Sequence, residues 1–505
     1  MATAQSKSIE ITEAASREEG LLIETFYIQC LAHASYLISA GGYAFLVDPR
    51  RDVDVYLREI ESRGLKLKGI LLSHVHADFV SGHLELHERS GATICVSSAA
   101  PVTYPHLPCD DGEYLVLTDR YAMKALHTPG HTPGCITWLI VDRTNGDRPL
   151  DAFTGDTLFV GSCGRPDLLG SMGLTKEEMS HKMFKTLTEK IMKLPEDCVV
   201  YPAHGAGSPC GKSLGKELNS TIGKEIKTNP TLQFTDVDEF TKFVTSDQPH
   251  APQYFLNAVH QNISGAANVA VELGKVNHLG AQDFSVLRHS KAHNICVLDT
   301  RDNDDFAEAH IPGAINISIG KHAGITLSAE EGNFAIWVGT IIAPTDKILV
   351  VADLGKEQET LERLLRIGYN NAIAVLRGGM EAWKAAGLPI ANFKRYGTTP
   401  DVFEHLKEQD YTIVDIRTEG EFQCPAKGHV KNSICVPLNK LKEMAPDKLP
   451  LSGKFALLCI GGFRSVIAAS VLLGMGYSDV TDFHGGYYKI MENAKEWTTM
   501  QRVEE

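Results

Sequence analysis

The feature that most constrains this sequence is a short run in which an apolar segment ends in metal-binding residue types. Residues 69–72 are small or apolar, which predicts a buried strand, and the next seven residues form the loop that leaves it. This loop carries His74, His76 and Asp78. Imidazole suits first-row metals, and a carboxylate adds charge. The run predicts a metal site, although a polar loop with two surface histidines is the alternative for one isolated motif.

Three later segments carry further metal-binding residue types. The run HTPGHTPG at residues 127–134 contains His131, and its prolines and glycines favour a rigid turn that can hold an imidazole against a distant site. Asp156 and His204 each follow a run that predicts a strand. Four donor-bearing loops at strand ends predict one site on one edge of a β-sandwich.

Composition limits the possible functions. A chain of 505 residues suggests about three domains. Its net charge of −14 argues against non-specific binding to nucleic acid or to anionic membranes. The chain has no apolar run long enough to span a bilayer, and residues 1–20 lack the pattern of a signal or transit peptide. The 11 cysteines form no C-x-x-C pair, which favours a reducing cytoplasm over a disulfide framework.

The order of predicted elements indicates layered α/β structure. Hairpin strands are predicted over 21–48, a helix over 52–62, and strands over 91–97, 123–127, 136–141, 151–154 and 198–201. A second helix is predicted over 176–194, residues 101–111 are expected to form a loop, and a linker is expected near 245–270. Strands on both sides of helices favour a sandwich over a helix bundle.

The rest of the chain contains an internal repeat of about 110 residues. Each copy predicts the same order of strand, loop, strand, helix, strand and turn. The matching landmarks are LDTR at 298–301 with VDIR at 414–417, HIPGAINI at 310–317 with HVKNSICV at 429–436, RIGY at 366–369 with GMGY at 474–477, and RGG at 377–379 with HGG at 484–486.

The donor loops resemble those of the metallo-β-lactamase superfamily over roughly residues 20–260. In the dinuclear hydrolases of that family a histidine directly follows the aspartate of the first motif. Phe79 stands there in this chain, so a second metal would lose one donor. Within the superfamily the pattern is similar to the persulfide dioxygenases, which hold one ferrous ion by two histidines and one aspartate. This resemblance implies one Fe(II) per chain, bound by His74, His131 and Asp156.

The same resemblance assigns roles to neighbouring residues. His76, Asp78 and His204 would orient ligands or waters at the metal. The loop that contains Arg165 is similar to the substrate-side loop of the family, so Arg165 could bind a carboxylate of a thiol carrier such as glutathione. A structural pair between Arg165 and Asp167 is the alternative.

The second copy of the repeat carries a candidate nucleophile, Cys459. An apolar strand precedes it, the loop IGGFRS follows, and an apolar helix is predicted over 466–473. The backbone of such a loop forms an anion nest, in which Gly461 and Gly462 would bind the anionic substrate. The helix N-terminus and Arg464 add positive potential, which favours a thiolate or a persulfide. A buried core cysteine is the alternative.

The pattern C-x-x-G-x-R resembles the rhodanese sulfurtransferases over 398–500, with Cys459 and Arg464 as catalytic residues. It departs from that family at residues 431–433, where KNS replaces the usual PGA, and at Ile490, where tryptophan is usual. The first copy keeps the family frame, but its loop at 350–356 has neither cysteine nor arginine. We therefore expect a degenerate unit that serves as a spacer or docking surface.

These inferences predict an α/β protein with a metallo-β-lactamase αββα sandwich followed by two rhodanese-like α/β domains. The expected ranges are 20–262 for the persulfide dioxygenase domain, 270–392 for the degenerate rhodanese-like domain and 398–500 for the rhodanese domain with the active cysteine.

The resemblances imply Fe(II)-dependent dioxygenation of a low-molecular-weight persulfide to sulfite and thiol. Rhodanese sulfur transfer would form or consume thiosulfate, as in bacterial sulfide detoxification. A glyoxalase-II-like zinc thioester hydrolase and a non-catalytic persulfide carrier or sensor are the alternatives. The expected partners are a persulfide such as that of glutathione, O₂, sulfite and thiosulfate, with no nucleic acid or membrane. We also expect a cytoplasmic homo-oligomer.

Overall fold

The structure is a computed structural model that describes residues 9–13, 20–168, 173–212, 214–246, 248, 251–290, 294–319 and 334–499. The chain divides into two compact units. The first contains Met1–Glu272 and Glu362–Asn370, and the second contains Leu273–Leu361 and Asn371–Glu505.

The first unit is built on two large sheets and a small hairpin. Its strands are β1 (Ile9–Glu13), β2 (Leu22–Ile28), β3 (His33–Ala40), β4 (Tyr43–Val47), β5 (Lys66–Leu71), β6 (Thr93–Ser97), β7 (Leu107–Cys109), β8 (Tyr114–Val116), β9 (Tyr121–His127), β10 (Ile136–Asp142), β11 (Arg148–Gly155), β12 (Leu158–Phe159), β13 (Ser162–Cys163), β14 (Val199–Pro202) and β15 (Ser220–Thr221). The sheet orders are β1-β2-β3-β4-β5-β6-β7, β15-β14-β11-β10-β9-β8 and β12-β13.

Helices cover the outer faces of the two large sheets. They are α1 (Asp54–Ser62), α2 (His83–Ser90), α3 (Lys176–Glu189), α4 (Ile222–Thr228), α5 (Val237–Thr245), α6 (Phe255–Ser264) and α7 (Val269–Leu273). Between the sheets, Phe45 of β4 and Trp138 of β10 share one buried cluster. Tyr56 of α1 packs with the first sheet, and Met183 of α3 packs with the second. The expected αββα sandwich is confirmed.

Two details differ from the sequence prediction. The expected linker near 245–270 contains α6, whose residues Phe255 and Ala258 are buried in the first unit, so that prediction is wrong for this segment. Residues 247 and 249–250 of the same expected linker lie outside the described residues. The expected loop over 101–111 contains the short strand β7. The exact domain limits stay predictions.

The second unit contains two five-stranded parallel sheets. Their strands are β16 (Asn277–Leu279), β17 (Ile295–Asp299), β18 (Ile315–Asn316), β19 (Lys347–Val351) and β20 (Ala372–Leu376), then β21 (Arg395–Tyr396), β22 (Tyr411–Asp415), β23 (Ile434–Cys435), β24 (Lys454–Leu458) and β25 (Asp479–Phe483). The sheet orders are β16-β20-β19-β17-β18 and β21-β25-β24-β22-β23. The same order in both sheets confirms the internal repeat.

The helices that accompany these sheets also repeat. They are α8 (Ala281–Arg288), α9 (Asn303–Glu308), α10 (Phe334–Ile341), α11 (Glu357–Arg366) and α12 (Gly379–Ala385), then α13 (Pro400–Glu408), α14 (Glu419–Gln423), α15 (Leu441–Lys448), α16 (Arg464–Gly474) and α17 (Gly486–Asn493). Within the described ranges, every helix is too short or too polar to cross a bilayer.

Candidate functional site

The candidate metal ligands lie in loops that leave strands of the two large sheets in the first unit. His74 follows β5, His131 lies between β9 and β10, and Asp156 directly follows β11. All three side chains are buried, with at most 2% of their surface exposed. The structure therefore brings together three residues that are far apart in the sequence.

The donor atoms of these residues face one another. His74 Nε2 lies 3.9 Å and His131 Nε2 lies 3.5 Å from Asp156 Oδ2. Within the described chain, neither His74 Nε2 nor either oxygen of Asp156 has a hydrogen-bond partner. Buried polar atoms without partners are costly. Ligands about 2.1 Å from one metal ion stand roughly 3–4 Å apart, so this donor set fits a metal ion.

The backbone fixes which ring nitrogen faces the site. His131 Nδ1 donates to the carbonyl oxygen of Arg165 at 2.8 Å, which leaves Nε2 free to bind a metal. His74 Nδ1 lies 2.9 Å from Ser73 Oγ. Burial lowers the pKa of His74 and of His131, so both imidazoles are neutral, as metal binding requires.

A second donor group lies beside the first. Its members are His76, Asp78 and His204, which were expected to orient ligands or waters, and all three are buried. His204 Nε2 lies 3.2 Å from Asp78 Oδ2 and 3.5 Å from Asp156 Oδ1. Asp156 therefore faces both groups, and the roles assigned to the three residues from the sequence stay predictions.

Phe79 closes the position at which dinuclear relatives carry a further histidine. Its ring is fully buried, with its centroid 4.1 Å from that of His33 and 4.3 Å from that of His76. A hydrocarbon ring offers no lone pair to a metal. Phe79 therefore cannot act as a ligand in the second donor group, and its ring packs against His76 of that group.

Three residues of this centre were missed by sequence reasoning. Cys210 shares a donor group with Asp156 and His204, and its pKa is raised by burial and then by the carboxylates of Asp78 and Asp156, so it is a thiol. Asp48 Oδ1 accepts from the backbone N–H of Ser73 at 2.7 Å and lies 3.1 Å from His76 Nε2. His33 is the third residue that sequence reasoning missed. No spacing pattern links these residues to the first motif.

Helix α6 supports the loop of the first motif. Asn262 Nδ2 donates to the carbonyl oxygens of His76 and Phe79, both at 2.8 Å. Tyr254, which precedes the helix, donates its hydroxyl proton to the carbonyl oxygen of Asp78 at 3.0 Å. The segment expected to be a linker thus holds the loop that carries the first of the candidate metal ligands.

Arg165 is engaged inside the protein. Its Nε and Nη2 donate to the two carboxylate oxygens of Asp167, each at 2.7 Å, and Nη1 donates to the carbonyl oxygen of Pro209 at 3.1 Å. Only 4% of Arg165 is exposed. The structural pair that was the alternative is present, and a contact between Arg165 and a substrate stays a prediction.

Cys459 directly follows β24 in the second unit and is buried. The backbone N–H of Gly462 donates to Cys459 Sγ at 3.0 Å, and Ser465 Oγ lies 3.6 Å from the same sulfur. Gly462 has φ +85°, in the left-handed region that favours glycine. One N–H group of the expected anion nest is therefore in place at the sulfur, while the full nest and the substrate contacts of Gly461 and Gly462 stay predictions.

Arg464 begins α16 but its guanidinium is paired. Nη1 and Nη2 donate to the two carboxylate oxygens of Glu421 at 3.0 and 2.9 Å. Burial alone would raise the pKa of Glu421, but the bonds from Arg464 outweigh it and hold this pKa at about 2. Arg464 is thus fixed by a carboxylate that sequence reasoning missed, and its catalytic role stays a prediction.

The equivalent loop of the first repeat has no nucleophile. Asp299 pairs in register with Val351, as Asp415 does with Leu458, so Ala352 occupies the position of Cys459. This loop borders a cavity of about 190 Å³ whose lining includes Arg301, Asp305, Asp353, Gly379 and Lys384. The degenerate character of the first repeat is confirmed.

The family assignment rests on matched domains and on a relative of known activity. Residues 28–204 match the metallo-beta-lactamase superfamily, and residues 281–386 and 398–493 match the rhodanese-like domain. Over 223 residues the chain is 30% identical to the human protein "Persulfide dioxygenase ETHE1, mitochondrial", which covers 44% of this chain and 78% of that relative. The chain belongs to the metallo-β-lactamase superfamily. Its relatives include persulfide dioxygenases, and it carries two rhodanese-like domains.

Two further members of the superfamily show how widely this fold is used. A crystal structure of a metallo-beta-lactamase from Staphylococcus aureus subsp. aureus COL has 30% identity and a TM-score of 0.60, and the match covers 71% of this chain and 99% of that one. A hydroxyacylglutathione hydrolase from Methylobacillus flagellatus is 31% identical over 170 residues, which cover 34% of this chain and 60% of the relative. Fold alone therefore does not fix the reaction.

Proposed function

We propose that the first unit oxygenates a low-molecular-weight persulfide and that the last domain transfers sulfur. The overall reaction of the first unit is RSSH + O₂ + H₂O giving RSH, sulfite and two protons. The supporting observation is the converging set of His74, His131 and Asp156, together with Phe79 at the position of a further ligand. Two imidazoles and one carboxylate with open positions suit non-haem iron.

One Fe(II) per chain would be held by these three residues. When bound, it supplies the redox chemistry that allows O₂ to react with a sulfane sulfur. The chain itself supplies two neutral imidazoles and a buried carboxylate, with the ring of Phe79 4.3 Å from that of His76. His204 Nδ1 lies 3.2 Å from the carbonyl oxygen of Ala32, and His204 Nε2 lies 3.2 Å from Asp78 Oδ2. His204 and Asp78 can therefore accept the proton that a persulfide releases.

In the last domain, Cys459 would carry sulfur as a persulfide. Its thiolate attacks the outer sulfur of thiosulfate, the S–S bond breaks, and sulfite leaves. A thiol then attacks the outer sulfur of the Cys459 persulfide and departs as a new low-molecular-weight persulfide. The reverse direction, in which a persulfide charges Cys459 and sulfite removes the sulfur, gives thiosulfate. Gly462 N–H supports the sulfur in either direction.

The test combines metal analysis with O₂ uptake on glutathione persulfide. We expect one iron per chain, loss of iron and of O₂ uptake in His131→Ala, and normal O₂ uptake in Cys459→Ser. Full activity with two zinc ions and no iron would refute the dioxygenase. Iron-replete enzyme that takes up no O₂, while Cys459 still becomes persulfidated, would favour the carrier or sensor.

Thioester hydrolysis is the second candidate. It is favoured by the similarity to hydroxyacylglutathione hydrolase and by the retained donors His76, Asp78 and His204. Phe79 opposes it, because hydrolysis in this family exploits two metals and the second group lacks a ligand. Hydrolysis of a glutathione thioester by zinc-loaded enzyme, at a rate above its O₂ uptake when iron-loaded, would support this candidate.

The setting of the protein also stays a prediction. The 11 cysteines are free thiols, which suits the expected reducing cytoplasm. A homo-oligomer is likewise still a prediction, which sedimentation of the full chain would test.

A further inference from the structure

Two neighbouring residues at the start of α9, in the degenerate domain, reach the Cys459 loop of the second unit, Asn303 directly and Asp304 through Arg395. Asn303 Nδ2 donates to the carbonyl oxygen of Phe463 at 3.4 Å. Asp304 accepts a hydrogen bond from Nη1 of Arg395. Asn303 is buried, whereas the Asp304 side chain is half exposed. The degenerate domain thus lies directly against the loop that carries the nucleophile.

Arg395 links Asp304 to the Cys459 loop. Its Nη2 donates to the carbonyl oxygen of Gly462 at 3.0 Å, and its Nε donates to Asp482 Oδ2 at 2.7 Å. All three ends of the guanidinium are therefore engaged, two by carboxylates and one by the loop. An arginine held by two carboxylates keeps its third donor in a fixed direction.

Groups outside the loop donate hydrogen bonds to the carbonyl oxygens of the loop. The oxygens of Cys459 and Ile460 accept from the backbone N–H groups of Tyr487 and Tyr488, at 2.8 and 3.0 Å. Farther along the loop, Arg395 donates to the carbonyl oxygen of Gly462, and Asn303 donates to that of Phe463. The loop is therefore fixed from outside by its oxygens.

Because the peptide bond is planar, the hydrogen bonds that fix the loop's carbonyl oxygens also affect the groups near the nucleophile. In a trans peptide the C=O and the following N–H point in opposite directions. Fixing the carbonyls of Gly462 and Phe463 therefore fixes the N–H groups of Phe463 and Arg464 on the opposite side. The Gly462 N–H of the same loop donates to Cys459 Sγ, so the orientation of the peptide groups in this loop bears directly on the nucleophile.

We propose that the degenerate domain positions the active loop, with Asp304 acting through Arg395 and Asn303 acting directly on Phe463. Both are positioning residues, because neither touches the reacting sulfur. This role rests on the proposed sulfur transfer at Cys459 and gives the first repeat a task beyond that of a spacer.

The sign of the effect separates positioning from simple electrostatics. The charged groups near the loop are Arg464 with Glu421, Arg417 with Asp415, Arg395 with Asp482, and His484 with Asp304. Removing the negative charge of Asp304 would by itself favour a thiolate at Cys459. Loss of positioning has the opposite sign, because the loop would hold the anion less well.

The experiment measures the alkylation rate of Cys459 by iodoacetamide against pH, with its peptide resolved by mass spectrometry, in the full chain. Asp304→Asn is expected to slow the reaction at pH 7 about fivefold, as the loss of one charge-assisted hydrogen bond suggests. The half-maximal pH should rise, and kcat for sulfur transfer should fall more than KM for thiosulfate changes. Asp304→Glu should retain most of the wild-type rate.

Asp305→Asn is the matched control. Asp305 lies on the same helix and carries the same charge, but it lines the cavity beside Asp353. Its replacement should leave the alkylation profile unchanged. If Asp304→Asn also leaves the profile unchanged, or lowers the half-maximal pH, the positioning role is refuted. Wild-type enzyme that transfers no sulfur, while Asp304→Asn still raises the half-maximal pH, would refute only the proposed function.

Discussion

The two rhodanese-like domains share the same strand order and the same buried contacts, here called the shared frame. They differ in the residue that follows the central strand. Each keeps a buried Asp-x-Arg pair, Asp299 with Arg301 at 2.7 Å and Asp415 with Arg417 at 2.6 Å. Each also stacks a histidine on a phenylalanine with ring centroids 4.1 Å apart, His310 on Phe306 in the first copy and His429 on Phe422 in the second. None of these four contacts uses the nucleophile position itself, which is Ala352 in the first copy and Cys459 in the second. The fold can therefore persist after the chemistry is lost.

The difference lies in the loop after the central strand. In the second copy, Cys459 faces the N–H of Gly462, whereas in the first copy Ala352 is followed by Asp353. Burial and the nearby Asp305 carboxylate raise the pKa of Asp353. Leu354, the next residue, is 71% exposed. A loop with a carboxylate and no thiol has no means of holding a sulfane sulfur.

The largest expected effect comes from Cys459→Ser. We expect sulfur transfer from thiosulfate to fall by about a thousandfold or more, because a serine hydroxyl cannot form the persulfide that carries the sulfur. Thiocyanate formation from thiosulfate and cyanide measures it. O₂ uptake by the first unit is the internal control and should stay normal. Turnover that survives the substitution would place the nucleophile elsewhere and break the comparison.

Removing the arginine of the shared Asp–Arg pair should destabilise both copies to a similar extent. Arg301→Met and Arg417→Met each leave a buried aspartate without its partner, which costs about 3–5 kcal/mol. Hydrogen exchange of the amides in β17 and β22 would report each domain separately.

Lys454→Met is the control for this pair, because Lys454 Nζ makes an exposed hydrogen bond at 3.1 Å and a distant contact with the Tyr411 ring, 5.7 Å from its centroid, and pairs with no carboxylate in the described chain. If one arginine proved dispensable while the other did not, the two frames would not be equivalent.

A smaller, pH-dependent effect is expected from Glu421→Gln, because the carboxylate of Glu421 is paired with Arg464, whereas the loop at 350–356 of the first copy has no arginine. The folded-state pKa of Glu421 is about 2, below its ordinary value of 4.5. The stability that this pair contributes is therefore fully present above pH 4.5 and lost as the pH falls towards 2. By linkage it amounts to about 1–3 kcal/mol. Acid unfolding of wild type and variant measures it.

Glu419→Gln serves as the control for Glu421→Gln. Glu419 is half exposed and lies 3.4 Å from Lys440, so its replacement should change acid stability little. An equal loss in both variants would show that net charge, not the Arg464 pair, sets the acid response.

The smallest expected effect is that of Ala352→Cys placed in the Cys459→Ser background. A thiol at this strand end should restore less than about 1% of sulfur transfer, because the loop has no arginine and its Asp353 disfavours a second anion. The same thiocyanate assay measures it. Substantial recovery would show that the cysteine alone separates the two domains.

Sequence reasoning found the residues that lie in motifs and missed those joined only by the fold. His74, His131 and Asp156 follow strands, and strand ends can be recognised from apolar runs. Cys210 lies in a loop rich in glycine and proline, with no pattern to mark it. The partner of Arg464 lies 43 residues away, and no local pattern links them.

The helix α6 shows a second limit. Its short run with two apolar pairs follows two prolines, and the prolines favoured a linker. The importance of α6 comes from Asn262, whose side-chain amide donates to two carbonyl oxygens of the loop that contains His74, His76 and Asp78. Such a contact spans more than 180 positions, so local propensity could not have predicted it.

The nest around Cys459 is made of main-chain amides, and this has a consequence for enzymology. An amide proton does not ionise in the range where enzymes work, and it persists whatever side chains surround it. The amide donor should therefore keep its charge state throughout, and the pH dependence of the rate should come from side chains alone: the nucleophile, its acceptor thiol and the carboxylates that fix the loop.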